Sequence, residues 1–237
     1  MSTYEPVKVS CRQCGEEVFQ QLLVGMHITR LPKVRSSIIQ ESFQHFECSS
    51  CHFVTRVEKP TIYTDFERKH YVGVELPEVD DWRARVAAHR TAFEQSFFWG
   101  PPTAQEMGRA MMTRVVFGLQ ALREKLLIWD AGLDDRVIEL GKRHVLTESG
   151  VDPDAHLLRL SSVDPSSKAL TFGLHRRAPH ASVRSSGGLR SHEHRPVRTV
   201  KVFERTITRW HQQSHVWMRQ HPWARAAWFV DASMAPG

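Results

Sequence analysis

Long apolar runs are missing from this sequence. The longest, such as Val115-Val116-Phe117-Gly118-Leu119, fall far short of the ~20 apolar residues that cross a bilayer as a helix. The first residues, Met1-Ser2-Thr3-Tyr4-Glu5-Pro6, lack the basic start and apolar stretch of an export signal, so a cytoplasmic protein with no membrane association is expected. Cysteine is scarce, with 4 in 237 residues. That is too few for a disulfide scaffold, and in a reducing compartment paired cysteines point to metal or redox chemistry. Recognisable nucleophile motifs are absent too: there is no Gly-x-Ser-x-Gly elbow and no phosphate-cradling glycine loop, which weighs against an enzyme. An apolar fraction of 41% and a charged fraction of 24% are ordinary globular values, and a chain of this length can bury a core without covalent staples.

What is present is concentrated. Every cysteine falls in one of two Cys-x-x-Cys pairs, Cys11-Arg-Gln-Cys14 and Cys48-Ser-Ser-Cys51. Two residues between paired cysteines let a tight turn aim both sulfurs at one point, and Gly15 after the first pair suits a turn with positive φ. Four thiolates make a closed tetrahedral set with no position left for water, the donor chemistry of a structural zinc ion. The residues between the pairs leave room for a hairpin. Competing readings exist. Cys48-Ser-Ser-Cys51-His52 matches the c-type haem attachment pattern, but it leaves Cys11 and Cys14 without a role and lacks the context of export. A thioredoxin-like pair is disfavoured because neither pair opens a helix in a βαβ unit. Four free thiols in a vestigial site is the plain alternative.

Charge is placed unevenly. Residues 173–201 hold seven Lys/Arg, namely Arg176, Arg177, Arg184, Arg190, Arg195, Arg198 and Lys201, and one acid, Glu193. That stretch alone accounts for the net charge of +6. Its arginines are the candidate nucleic-acid contacts, while residues near 175–200, rich in Ser, Gly, His and Arg, read as a mobile basic loop. His175, His180, His192 and His194 there follow no ligand spacing and are taken as solvated.

Along the chain, residues 7–76 read as β structure around the cysteine pairs, and Pro77 with Glu78-Val79-Asp80-Asp81 marks a domain edge. Trp82 to Phe98 reads as a helix. Thr103-Ala104-Gln105-Glu106 has capping-box form, and Met107, Met111, Val115, Leu119, Leu122 and Leu126 continue at helical period, predicting one long helix. Gly132 is placed as its stop, and Asp134 or Asp135 as the cap of the next helix. Strands are expected at 155–161, 169–174 and 197–202. An amphipathic helix bearing Phe203, Ile207, Trp210, Ser214 and Trp217 follows them, and a strand at 227–231 ends the chain. The expected architecture is α+β: a zinc-ribbon-like β domain at 1–78, then a mixed helical and strand domain at 79–237.

These residues resemble the CpXC family, bacterial and archaeal proteins named for two Cys-Pro-x-Cys motifs. The resemblance is carried by Cys11-Arg-Gln-Cys14-Gly15, Cys48-Ser-Ser-Cys51, Tyr63-Thr64-Asp65, Tyr71 to Leu76, Glu124 to Ile128, Gly132-Leu133-Asp134-Asp135-Arg136 and Phe229-Val230-Asp231. It implies that Cys11, Cys14, Cys48 and Cys51 are the metal-binding set, and it brings no activity with it. Both prolines are replaced, by Arg12 and Ser49, and His52 stands where glycine is expected.

The expected function is a non-enzymatic zinc-binding module that contacts a protein partner in a cytosolic assembly. The second expectation is a zinc-ribbon protein that binds nucleic acid through segment 173–201. The third is an enzyme built on buried ionisable groups, for which Asp134, Asp135 and His144 are the residues to examine.

Overall fold

Each cysteine pair lies in the turn of a hairpin. Strand β1 (Thr3–Ser10) runs into the first pair and β2 (Glu17–His27) leaves it, paired antiparallel from Ser10↔Glu17 outward. Helix α1 (Pro32–Ile39) follows, its proline in the first turn where no intrahelical N–H is needed. The short strands β3 (His45–Glu47) and β4 (Val54–Arg56) form a separate two-stranded sheet around the second pair. Then come β5 (Thr61–Asp65), β6 (His70–Glu75), α2 (Trp82–Phe97), α3 (Pro102–Ala110) and β7 (Met112–Phe117). The computed structural model describes residues 2–77, 79, 81–176, 196–225 and 228. These divide into two compact units, one running to Leu119 and one from Gln120.

The first unit holds a five-stranded mixed sheet of order β1-β2-β5-β6-β7. β6 is antiparallel to β5 and parallel to β7. A parallel neighbour needs a long crossover, and α2 and α3 supply it. All six residues of β6 are buried, as expected of a strand covered on both faces. On one face Tyr71 packs edge-on against Phe93, with ring centroids 4.9 Å apart. Beside it, Gly73 is required by space: a Cβ there would lie 2.5 Å from the His89 ring. The gap lets His89 of α2 lie flat over the strand and bond Glu75 on the same face, Nε2 to Oε1, at 2.8 Å.

The second unit begins one residue into α4 (Leu119–Asp130) and includes α5 (Asp135–Glu148). It continues through β8 (His156–Val163), β9 (Leu170–Arg176), β10 (Arg198–Val202) and α6 (Glu204–Gln220), closing with a 3₁₀ turn at Pro222–Arg225. The strands form an antiparallel sheet of order β10-β9-β8. Ile128, Ile138, Leu158, Leu170, Phe172, Ile207 and Trp210 are buried together as its core. α6 lies against α5 at Gly141, where a Cβ would sit 2.2 Å from the Trp210 indole.

A ladder of buried charge runs through this unit. Lys125 Nζ donates to Glu139 Oε1 at 2.9 Å and lies 3.4 Å from Asp135 Oδ2. Lys142 Nζ is 2.8 Å from Glu139 Oε2 and 3.1 Å from Glu124 Oε1. Glu124 also accepts the Leu160 backbone N–H at 2.8 Å and meets Arg159 Nη1 at 3.3 Å. Three carboxylates face three cations. All but Arg159 are nearly inaccessible to solvent, so each charge must be balanced from within. Burial alone would raise the Glu139 carboxyl, but the Lys125 and Lys142 ammonium groups outweigh it and draw its pKa down to about 2.

The α+β expectation holds: a strand-rich N-terminal region carries the cysteines, helices follow, and a sheet and helix occupy the C-terminal part. The domain edge expected at Pro77 falls in the loop between β6 and α2, within the first unit. The long helix through residues 107–126 is a correction. α3 ends at Ala110, Met111 is extended at φ −81° and ψ 136°, and Met112–Phe117 is β7. The apolar spacing there matches a helix by coincidence. Residues 113–117 are all buried, which suits a strand with β-branched Thr113, Val115 and Val116. Gly118, at φ 89°, then turns the chain into α4. Pro101 stands at the start of α3, with no side-chain cap from Thr103. Between the cysteine pairs lie β2 and α1 as well as β3, so the intervening hairpin is also corrected. The strand expected at 227–231 lies outside the described residues, Trp228 excepted.

Replacing Lys142 by Met should destabilise the second unit by about 3–5 kcal/mol, because it strands Glu124 and Glu139 without a shared cation. Denaturant unfolding followed by tryptophan fluorescence measures this. The Glu139 contribution is present above the ordinary carboxyl pKa of 4.5 and is lost as pH falls toward about 2. The unfolding midpoint should therefore fall through that window, and fall less steeply in Lys142→Met.

Candidate metal centre

Hairpin geometry brings the four sulfurs together. β1 ends at Ser10 and β2 begins at Glu17, so residues 11–16 form the first knuckle; residues 48–53 form the second between β3 and β4. Both knuckles close with the same two backbone bonds. In the first, Gly15 N–H donates to Cys11 O at 2.9 Å and Cys11 N–H to Glu16 O at 2.7 Å. In the second, His52 N–H donates to Cys48 O at 2.9 Å and Cys48 N–H to Phe53 O at 3.0 Å. The turn forces positive φ on the residue after each pair, 78° at Gly15 and 58° at His52. Neither replaced proline prevents this closure, since Arg12 and Ser49 lie inside turns fixed by those bonds.

The sulfurs then meet across the knuckles. Cys11 Sγ lies 3.4 Å from Cys51 Sγ, Cys14 Sγ lies 3.5 Å from Cys48 Sγ, and all four fall within 4.8 Å of one another. All four are free cysteines. With metal–sulfur bonds of about 2.3 Å, the edge of a tetrahedral thiolate site is about 3.8 Å, which is the scale observed. The cluster can therefore hold a metal ion. Glu16 and Ser50 hydrogen-bond from one knuckle to the other. The haem reading fails on geometry: Cys48 and Cys51 converge with Cys14 and Cys11, and His52 Nδ1 is engaged by Glu47 Oε1 at 2.6 Å on the surface.

Electrostatics favour a cation at the centre. The backbone N–H of Cys14, with that of Gln13, aims at the Cys11 sulfur, outweighs burial and lowers its pKa to about 6. At Cys51 the N–H of Phe53 acts the same way, but burial and the three neighbouring sulfurs outweigh it and push the thiol up to about 12. Cys14 is raised as well: the N–H of Glu16 opposes the rise, while Cys48, burial and Cys11 drive it. Cys11 ionises readily, while Cys14 and Cys51 are held in the thiol form. A divalent ion removes that conflict, and its binding releases the remaining protons.

A family model described as CpXC protein matches residues 9–142, more than half of the chain. The chain belongs to the CpXC family. The match contains both cysteine pairs, all of β2 through α4, and α5 as far as Lys142. Phe229-Val230-Asp231 lies beyond it. No curated protein and no solved structure matches the chain.

The other candidate residues lie elsewhere. Arg176 ends β9 and Arg198 begins β10, both exposed. Arg177, Arg184, Arg190 and Arg195 lie outside the described residues. Asp134 caps α5, accepting the Arg136 N–H at 2.9 Å. Its carboxyl is raised by burial, but the Arg136 guanidinium and N–H outweigh this and hold it below the usual range. Of the two cap candidates Asp134 is the cap, and Asp135 is the buried partner of Lys125. His144 bonds Glu148 at 3.1 Å and packs on the Trp217 ring at 4.7 Å. The charge ladder and the Glu75–His89 pair were not foreseen. Asp135, Glu139 and Lys142 do recur at i, i+4 and i+7, the spacing of one helix face, so a signal was present.

The two turn positions should respond oppositely to substitution. Gly15→Ala meets nothing within 4 Å, so its cost is conformational, about 1–2 kcal/mol for an L side chain in the left-handed region. His52→Gly should be neutral or stabilising by about 0.5 kcal/mol, since it relieves the same strain against a weak surface pair and added unfolded-state freedom. Thermal melts of the metal-loaded variants measure both signs.

Proposed function

We propose that Cys11, Cys14, Cys48 and Cys51 bind one structural zinc ion, and that CpXC protein of this type is a non-enzymatic binding module in a cytosolic assembly. The observation that carries the metal assignment is the convergence of four sulfurs within 4.8 Å from two knuckles. An all-thiolate site leaves no coordination position for substrate or water, so the ion holds hairpins together and does no chemistry. Soft thiolate donors in a tetrahedral array favour zinc over magnesium, calcium or manganese. Among the described residues no helix is long and apolar enough to cross a membrane.

A protein partner is supported by the apolar groups that the cysteine hairpins leave in water. Phe19 of β2 is 76% exposed, Val54 of β4 52% and Phe53 38%. Exposed aromatic side chains of this kind supply the anchors of protein interfaces. A second reading, nucleic-acid binding through segment 173–201, is supported by Arg176 and Arg198, which are exposed and have no ion-pair partner among the described residues.

Elemental analysis of protein purified without added metal should return one zinc per chain, and a Cys48→Ser/Cys51→Ser variant should return none. Chelation should unfold the first unit, with loss of hairpin amide protection. Absence of stoichiometric zinc, or full protection after chelation, overturns the metal assignment. In a nuclease-treated pull-down, Phe19→Ser/Phe53→Ser should lose the recovered protein while keeping its zinc. Undiminished recovery overturns the proposed face.

A further inference from the structure

Helix α6 lies wholly beyond the family match and shows two contrasting faces. Ile207 and Trp210 are buried in the core of the second unit, with Trp217 packed against it. On the opposite side, at helical spacing, stand Arg205, Arg209, Gln212, Val216 and Arg219, all exposed. Thr208 and His215 flank this stripe and are also exposed. Among the described residues none of Arg205, Arg209 and Arg219 has an ion-pair partner. From Pro196 to Arg225 there are six Lys/Arg and one acid, Glu204. That acid is engaged by Lys168 at 3.8 Å.

The first two of these arginines work against the helix that carries them. Arg205 sits in the first turn, where the macrodipole disfavours a cation. Arg205 and Arg209 are like charges four residues apart, which repel on a helix surface. A solvated face would gain from interspersed carboxylates, and this one has none after Glu204. The unbalanced cations run from Arg205 to Arg219, about 21 Å along a helix rising about 1.5 Å per residue. A cationic helix bearing Arg, Gln and Thr has the diameter and the donor set that enter the major groove of B-form DNA, whereas the deep, narrow major groove of duplex RNA admits no such helix.

We propose that the outer face of α6 docks on duplex DNA, with Arg205, Arg209 and Arg219 contacting phosphates and Gln212 facing the groove. Its residues are distinct in sequence from the four cysteines and from the 173–201 segment.

The test uses the full, metal-loaded chain and fluorescence anisotropy with a labelled 20-base-pair DNA duplex, titrated across salt. The variant Arg205→Gln/Arg209→Gln/Arg219→Gln keeps good helix formers at exposed positions, and circular dichroism with a thermal melt verifies its fold. Each lost phosphate contact flattens the log affinity–log salt slope by about 0.9, so the triple variant should be shallower by about 2–3 and bind about 10-fold or more weakly at 100 mM salt. The same difference should persist when Arg184, Arg190 and Arg195 are all changed to Gln in both proteins. The proposal is overturned by no wild-type binding at 50 mM salt, by an unchanged slope in the triple variant, or by a difference that vanishes in the segment-substituted background. Polyglutamate competing as well as unlabelled duplex at equal charge would assign the face to an acidic protein instead.

Discussion

Four thiol groups meet at one point, and they can ionise together there only if a cation shares the site. The knuckle N–H groups make Cys11 easy to ionise, whereas Cys14 and Cys51 resist following, Cys51 most strongly. Two hairpins are committed to this point: β1–β2, which is the edge of the five-stranded sheet, and β3–β4, which pairs with nothing else. A two-stranded ribbon is marginal by itself in water. The sulfur cluster and the Glu16–Ser50 bond join the second knuckle to the first, with Phe46 of β3 packed on Val9 and Leu22 beside them.

The second unit meets a similar problem by other means. It buries Glu124, Lys125, Asp135, Glu139 and Lys142 almost completely and balances them against one another, with Arg159 at the partly exposed end. An ion network of this kind contributes less than its Coulomb energy suggests, because each group gave up its hydration. What it does enforce is geometry. The alternation of sign fixes how α4, α5 and β8 pack, since any slip places like charges together in a medium that screens them poorly. Glu124 joins the network to the sheet by accepting the Leu160 N–H.

The cysteine pairs were legible because their chemistry is local. Spacing of two residues implies a turn, the turn implies a positive φ after it, and both Gly15 and His52 adopt it. Asp134 as a cap and Gly132 as a stop, at φ 69°, were legible for the same reason. Residues 107–126 misled because periodicity records which positions are apolar and not the backbone that carries them. When every position of a segment is buried, as in β7, the alternation that marks a strand disappears. α1 escaped notice because its apolar face is short, with Ile38 its one buried residue.

The sequence alone determined the two cysteine pairs, the turn chemistry around them and the α+β character, because each depends on residues close together in the chain. Tertiary structure decided which sulfurs meet, that Asp135 is a buried ion-pair partner while Asp134 is the cap, and that β7 completes the sheet begun by β1. These outcomes depend on groups far apart in sequence. Their pairing energies arise only when burial has removed water and placed the two partners within a few ångströms.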